Sequence, residues 1–134
     1  MKFSAKSRYG LRAMAVLGKN YADGNQPVSN SKLAALSDVK EPYLEKIMAK
    51  LKSASLVSSI MGQNGGYVLQ KQPNEITVGA IIRQLEGDVF ISDCVAKDCK
   101  NKNCLNKSLF TFIYNKINSL LDSMTLEDII NRNI

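Results

Sequence analysis

The residues with the most chemistry to offer lie in one short stretch, Cys94-Val95-Ala96-Lys97-Asp98-Cys99-Lys100-Asn101-Lys102-Asn103-Cys104. It holds all three cysteines of the 134-residue chain, with four residues in each gap. Free cysteine usually packs inside a protein as a small hydrophobe. Here Val95 and Ala96 are the only apolar residues between the thiols, so the stretch cannot pack as a core segment. Clustered thiols in a lysine-rich loop point to a ligand or redox role. Three thiolates suit iron–sulfur ligation, and Lys97, Lys100, Lys102 and Lys107 would offset the charge of an anionic cluster. Structural zinc sites mostly close with four strong ligands, and a fourth is missing. An odd number of thiols also fits a reducing compartment better than a disulfide scaffold.

The chain has no histidine, which removes the commonest general base and the commonest metal ligand together. It also lacks a nucleotide-binding glycine motif. A redox enzyme or metalloenzyme is therefore disfavoured, and the chain is expected not to be an enzyme. No run approaches the roughly 20 apolar residues that span a bilayer. The opening Met-Lys-Phe-Ser-Ala-Lys-Ser-Arg has no apolar stretch of signal-peptide length. A cytoplasmic location and no membrane partner are expected.

Charge is segregated along the chain. Residues 1–72 carry 11 Lys and Arg against 4 Asp and Glu, a net of +7; residues 73–134 carry 7 against 8, a net of −1. Such asymmetry is the footprint of a phosphate-binding unit joined to a neutral one.

The elements that must position these groups follow from periodicity and caps. Ser4 can cap a helix to about Tyr21, with Tyr9, Ala13, Met14, Val16 and Leu17 on its apolar face. Lys6, Arg8 and Arg12 near its start oppose the helix dipole, so an external phosphate is expected to offset them. Ser29 or Asn30 can cap a short helix to Leu36, with Leu33 and Leu36 inward. After a turn at Ser37-Asp38-Val39, a helix opens at Glu41-Pro42, and Leu44, Ile47, Met48 and Leu51 form one buried stripe. Tyr43, Glu45, Lys46, Lys50 and Lys52 face outward. Residues 56–60 read as a strand, Gly62-Gln63-Asn64-Gly65-Gly66 as a hairpin loop and Tyr67-Val68-Leu69 as its return. Helix-turn-helix followed by a glycine-tipped hairpin is a winged helix, whose glycines let the backbone approach a phosphate or a minor groove. Thr77 can cap a helix ending at Gly87. The longest helix runs from Leu105 to Ser123, with Leu105, Leu109, Phe112, Ile113, Ile117, Leu120 and Leu121 as its apolar stripe. A stripe that long exceeds the needs of one small domain and predicts a second subunit. Thr125 with Asp128 starts a last short helix.

The expected architecture is mainly α with a β-hairpin wing. Residues 1–72 form a winged helix-turn-helix DNA-binding domain, 73–91 a connecting helix packed on it, 92–104 the cysteine loop, and 105–134 the dimerisation helix and a terminal short helix. Candidate DNA contacts are Lys2, Lys6, Arg8, Ser29, Lys40, Pro42, Tyr43, Glu45, Lys50, Met61, Gly62, Gly65 and Gly66. Candidate dimer contacts are Leu109, Phe112, Ile113, Ile117, Leu120 and Leu121.

The motifs Ser7-Arg8-Tyr9-Gly10, Tyr43-Leu44-Glu45, Leu56-Val57-Ser58-Ser59, Gly65-Gly66-Tyr67, Ile76-Thr77-Val78-Gly79, the three-cysteine loop and Thr125-Leu126 occur in this order. Together they resemble the Rrf-type winged-helix regulators, above all the IscR-like cluster regulators, with NsrR-like and CymR-like proteins as relatives. The resemblance covers nearly the whole chain. It implies a homodimer on a near-palindromic double-stranded operator. It also implies a [2Fe-2S] or [4Fe-4S] cluster on Cys94, Cys99 and Cys104 that governs DNA binding, and Glu45 as a base-discriminating residue that accepts from a cytosine amino group. The alternative is a cluster-free regulator of cysteine or sulfur metabolism, switched by thiol oxidation or by a partner enzyme of cysteine metabolism or cluster assembly. The sequence departs from the IscR-like pattern at Lys107, where those proteins carry a histidine ligand, and in gaps one residue shorter between cysteines. An NsrR-like aspartate from the first helix is also missing, since no acid precedes Asp23. The fourth ligand stays open, with Asp93 and Asp98 nearby. The wing arginine common in the family is Met61 here, which implies weaker minor-groove readout.

Overall fold

The computed structural model describes residues 2–97 and 99–134. Its elements are α1 (Ala5–Ala22), α2 (Asn30–Ser37), α3 (Glu41–Ser53), β1 (Val57–Ile60), β2 (Gly66–Leu69), a 3-10 turn (Pro73–Glu75), α4 (Val78–Glu86), α5 (Asp93–Ala96), α6 (Leu105–Ser123) and α7 (Leu126–Asn131). The fold is a winged helix-turn-helix with a long C-terminal helix.

Local chemistry sets most boundaries. The Ser4 hydroxyl accepts from the Ser7 N–H, and Ser29, rather than Asn30, caps α2 by accepting from the Lys32 N–H. Asp38 ends α2 in the left-handed region, at φ 55° and ψ 52°, a conformation that aspartate tolerates better than most residues. Pro42 stands in the first turn of α3, where its missing N–H costs no helical bond. Thr125 and Asp128 cap α7 reciprocally. Leu36, expected to point inward, is 57% exposed. The buried residues of α2 are Leu33, Ala34 and Ser37, so its inward face lies one residue further round the helix.

The strands pair antiparallel, with Ser59 opposite Tyr67 and Ile60 opposite Gly66. Val28 adds a bridge to Tyr67, its N–H donating to the Tyr67 carbonyl at 3.0 Å and its carbonyl accepting from the Tyr67 N–H at 2.8 Å. A single residue between Pro27 and the cap Ser29 offers no alternation, so the sequence gives no strand signal there. A Cβ on Gly66 would collide with the Val28 backbone, and one on Gly65 with the Ile60 carbonyl. Packing of the wing therefore requires both glycines.

Two apolar clusters share α4. The larger gathers Met14, Leu17, Leu33, Leu44, Ile47, Met48 and Leu51 with Ile81, Leu85 and Leu126. The smaller joins Val78, Ile82, Val89 and Leu121, with Ile117 packed against it. Ile81 and Leu85 thus face α1 and α3, while Val78 and Ile82 face α6. Close approach to α1 depends on two glycines: a Cβ on Gly10 would strike Leu85, and one on Gly18 would strike Ile130. The chain end returns to the first unit through Leu126, which is fully buried and donates its N–H to the Ile76 carbonyl at 2.8 Å.

Candidate functional site

The basic face begins at α1. Lys2, Lys6 and Arg8 are exposed, and so are Ser29, Lys40, Pro42, Glu45 and Lys50. Helix α3 lies across α1, and Lys6, Lys46 and Lys50 meet around a small cavity of about 130 Å³ lined also by Tyr43, Ile47 and Leu85. The cavity wall is apolar, so the three lysines line it with their methylene stems, as long cationic side chains commonly do while their charged heads stay in water. Lys46 belongs with the candidate phosphate contacts, although spacing alone did not separate it from an ordinary solvated lysine. Arg12 does not. Its guanidinium donates to the carbonyls of Ser37 at 3.2 Å and Asp38 at 3.4 Å and stands 5.1 Å over the Tyr9 ring. It ties α1 to the turn before α3. Tyr9 in turn meets Tyr43 edge to face, with centroids 5.7 Å apart. Tyr43 is half-buried and braces the start of α3 rather than standing free.

Helix α3 and the wing share a face. The Asn30 amide donates to the Glu45 carboxylate at 3.5 Å. Burial and then the neighbouring Glu45 charge push the Tyr67 phenol above its ordinary range. Glu45 therefore sits between the start of α2 and strand β2, with its carboxylate exposed. The Lys52 ammonium donates to the Ser59 hydroxyl at 2.7 Å and pins β1 to the end of α3. At the tip, Met61 and Gly62 are exposed, and Gly62 has φ +110° with open space around it.

Helix α4 carries two polar latches one turn apart. The Arg83 guanidinium donates to Asn118 Oδ1 at 2.9 Å and pairs with Asp122, both on α6. The Glu86 carboxylate accepts from the Ser4 N–H at the cap of α1. Partial burial pushes the Glu86 carboxyl up, but hydrogen bonding at the Ser4 cap and the nearby Lys6 charge outweigh it and hold it below the usual carboxylate range. Helix α1 has no acid in its own first turn, so Glu86 supplies the negative charge that a helix N-terminus favours. This role joins residues 82 apart in sequence and leaves no local signal.

The cysteines follow. Cys94 lies in the one-turn helix α5, capped by Ser92, whose hydroxyl accepts from the Cys94 N–H at 3.2 Å. Cys104 is the residue before α6. All three thiols are free and half-buried. Among the described residues, no group of three or more His, Cys, Asp or Glu side chains converges as a metal site. Asp93 is exposed at the start of α5, and Asp98 lies outside the described residues. Lys107 lines the cavity beside Cys94, of about 460 Å³, and also the one beside Cys99, of about 490 Å³. In donor chemistry the segment fits a cluster, with three thiols and a shell of lysines. Its described arrangement would have to close before the thiols could share one.

The stripe on α6 divides into two faces. Leu105, Leu109, Phe112 and Leu120 are exposed, at 90%, 52%, 60% and 59%. Ile113 is half-buried. Leu121 is buried in the smaller cluster, with Ile117 against it, so these two candidate dimer residues serve their own subunit. The split arises because α4, which supplies Val78 and Ile82, takes one side of α6.

Comparison with known proteins matches residues 3–132 to the family described as Rrf2, iron-dependent transcriptional regulator. The chain is 39% identical over 129 residues to the HTH-type transcriptional regulator CymR of Bacillus subtilis, covering 96% of this chain and 89% of the relative. The solved structure of CymR, the global cysteine regulator of B. subtilis, superposes with a TM-score of 0.85 at 36% identity, covering 98% of each chain. That of T. potens IscR gives 0.81 at 35% identity, covering all of this chain and 89% of the other.

Proposed function

This chain belongs to the Rrf2 family of DNA-binding transcriptional regulators, and from that premise we propose that its three-cysteine segment is the sensor that sets operator binding by a homodimer. The single observation that carries the reading is a continuous set of contacts from the helix that carries Cys94 to the basic face. Helix α5 packs on α6, Arg83 clamps α6 to α4, and Glu86 of α4 holds the cap of α1. A change of state at the cysteines can shift DNA binding only if the two arrangements differ in free energy. Reordering residues 88–104 bears on α6 directly, and the two latches carry that change to the end of α1 where Lys2, Lys6 and Arg8 stand.

Cys94, Cys99 and Cys104 would hold an iron–sulfur cluster. Such a group, when bound, supplies reversible sensitivity to oxidants and to iron supply. Lys97, Lys100, Lys102 and Lys107 offset its charge, and the fourth position falls to a donor outside the three thiols. A cluster-free thiol switch is the second reading. It is favoured by similarity to a regulator named for cysteine, and among the described residues no three or more Cys, Asp or Glu side chains converge as a metal site. Protein purified without oxygen decides between them. Broad brown absorbance with bound iron and sulfide supports the cluster; a colourless protein whose operator affinity responds to oxidants supports the thiol switch.

Two results are expected at the DNA face. The phosphate contacts of Lys6, Arg8 and Lys50 should each contribute about one unit to the slope of log affinity against log salt. Arg8→Ala and Lys50→Ala should each flatten that slope while leaving sequence preference intact. Unchanged affinity and slope in both variants would show that the basic face does not meet DNA. Glu45 is expected to read a base, so Glu45→Ala should relax one position per half-site by roughly 1–3 kcal/mol. Binding to a randomised operator pool measures this, and uniform weakening over all sequences would make Glu45 a structural residue.

A further inference from the structure

The wing ends in an apolar point. Ile60 is 48% exposed and Met61 90% exposed, side by side where the β-ribbon closes. Single exposed hydrophobes are ordinary on a protein surface. This pair is set apart by its position. Ile60 opposite Gly66 is the last rung of the ribbon. Beyond it, the Gly65 N–H donates to the Gly62 carbonyl at 3.0 Å and closes a tight turn. Gly62 holds φ +110°, a conformation that a side chain rarely adopts. Met61 therefore stands on the shoulder of a constrained turn with 90% of its surface exposed.

The surroundings select its occupant. Residues 46–74 contain four lysines and no Asp or Glu. The ribbon is pinned to α3 by the bond from Lys52 to Ser59, and Tyr67 of the ribbon lies beside Glu45 of α3. The tip is thus continuous with the face that carries the base reader, and its potential suits a polyanion. Proteins that enter the minor groove often insert an apolar side chain between base steps, unstacking them and bending the duplex. Methionine is long, unbranched and adaptable in shape, and Gly62 leaves room behind it for a sugar–phosphate strand. We infer that Met61 is an apolar wedge that enters the minor groove beside each half-site and opens a base step there. The inference rests on the DNA-binding reading above. It gives the wing a shape-reading role, specific for easily unstacked pyrimidine–purine steps, in place of a cationic contact.

The test uses the full-length protein and an operator selected from a randomised pool, with 2-aminopurine scanned through the minor-groove positions flanking each half-site. Wild-type protein should raise the fluorescence of one such position as the step unstacks. Met61→Ala should abolish that rise and weaken binding about tenfold, the order expected for losing most of a buried methionine side chain. Because no phosphate contact is lost, its salt slope should match that of the wild type. Met61→Leu should keep the fluorescence rise. Met61→Arg should lose it while steepening the salt slope by about one unit. Equal affinity in Met61→Ala, weaker binding without any fluorescence change, or a Met61-dependent self-association that ignores DNA would each overturn the wedge. Failure of the wild-type protein to select any operator would instead remove the DNA-binding reading beneath it.

Discussion

Leu109→Glu combined with Phe112→Glu should convert the protein into a folded monomer that binds its operator at least about a hundredfold more weakly. These side chains are 52% and 60% exposed on α6, in line with Leu105 and Leu120, and Lys116, on the same face, stands 5.5 Å over the Phe112 ring. They are not members of either apolar cluster among the described residues, so charge there should leave the fold intact. Joining two readers turns the second half-site into an intramolecular encounter, which commonly strengthens binding by 10² to 10⁴-fold. Its loss sets the size of the effect. Ile117→Glu is the instructive contrast. Ile117 is half-buried and packs against the cluster of Val78, Ile82, Val89 and Leu121, so an acid there should destabilise the subunit itself by about 1–3 kcal/mol. Light scattering and thermal melting separate the two. A Leu109→Glu, Phe112→Glu protein that stays dimeric would place the interface elsewhere.

The second large effect concerns the thiols. Cys94→Ala, Cys99→Ala and Cys104→Ala should each abolish stable cluster binding after anaerobic reconstitution, measured as bound iron and sulfide. A site with three thiolates and no histidine in the chain has none to spare. All three cysteines are half-buried and outside both apolar clusters. The substitutions should therefore leave the stability of the cluster-free protein within about 0.5 kcal/mol of the wild type. A single variant that retains full iron and sulfide would remove that cysteine from the ligand set. If no variant and no wild-type preparation binds iron, but oxidation of the wild type alone changes operator affinity, the thiol switch is the mechanism.

Much of this molecule is legible in its sequence, because local rules govern most of its helix starts and its wing. Ser4, Ser29, Pro42, Thr77 and Thr125 start helices by satisfying or lacking an N–H, and Gly62 to Gly66 turn the wing. The stripe Leu44, Ile47, Met48 and Leu51 becomes the buried side of α3. What escapes the sequence is tertiary. Arg12 looks like a phosphate ligand until the carbonyls of Ser37 and Asp38 take its hydrogen bonds. Leu36 looks buried until Ser37 turns inward in its place. The apolar run on α6 reads as one stripe, yet α4 covers its Ile117 and Leu121 side and leaves Leu109 and Phe112 free. Glu86 and Ser4 meet across the fold with no spacing to announce it. Among the described residues, the cysteine segment contains a one-turn helix at Cys94 where the sequence suggested loop alone.

The most direct test of a cysteine sensor coupled to a DNA reader is one titration in three states. Operator affinity would be measured at a single salt concentration for reduced cluster-free protein, protein reconstituted with iron and sulfide without oxygen, and oxidised protein. Couplings of this kind are typically 1–3 kcal/mol, so at least one state should differ from the others by about tenfold. The difference should vanish in Cys99→Ala. Identical affinities in all three states, on an operator that the protein binds specifically, would contradict the account.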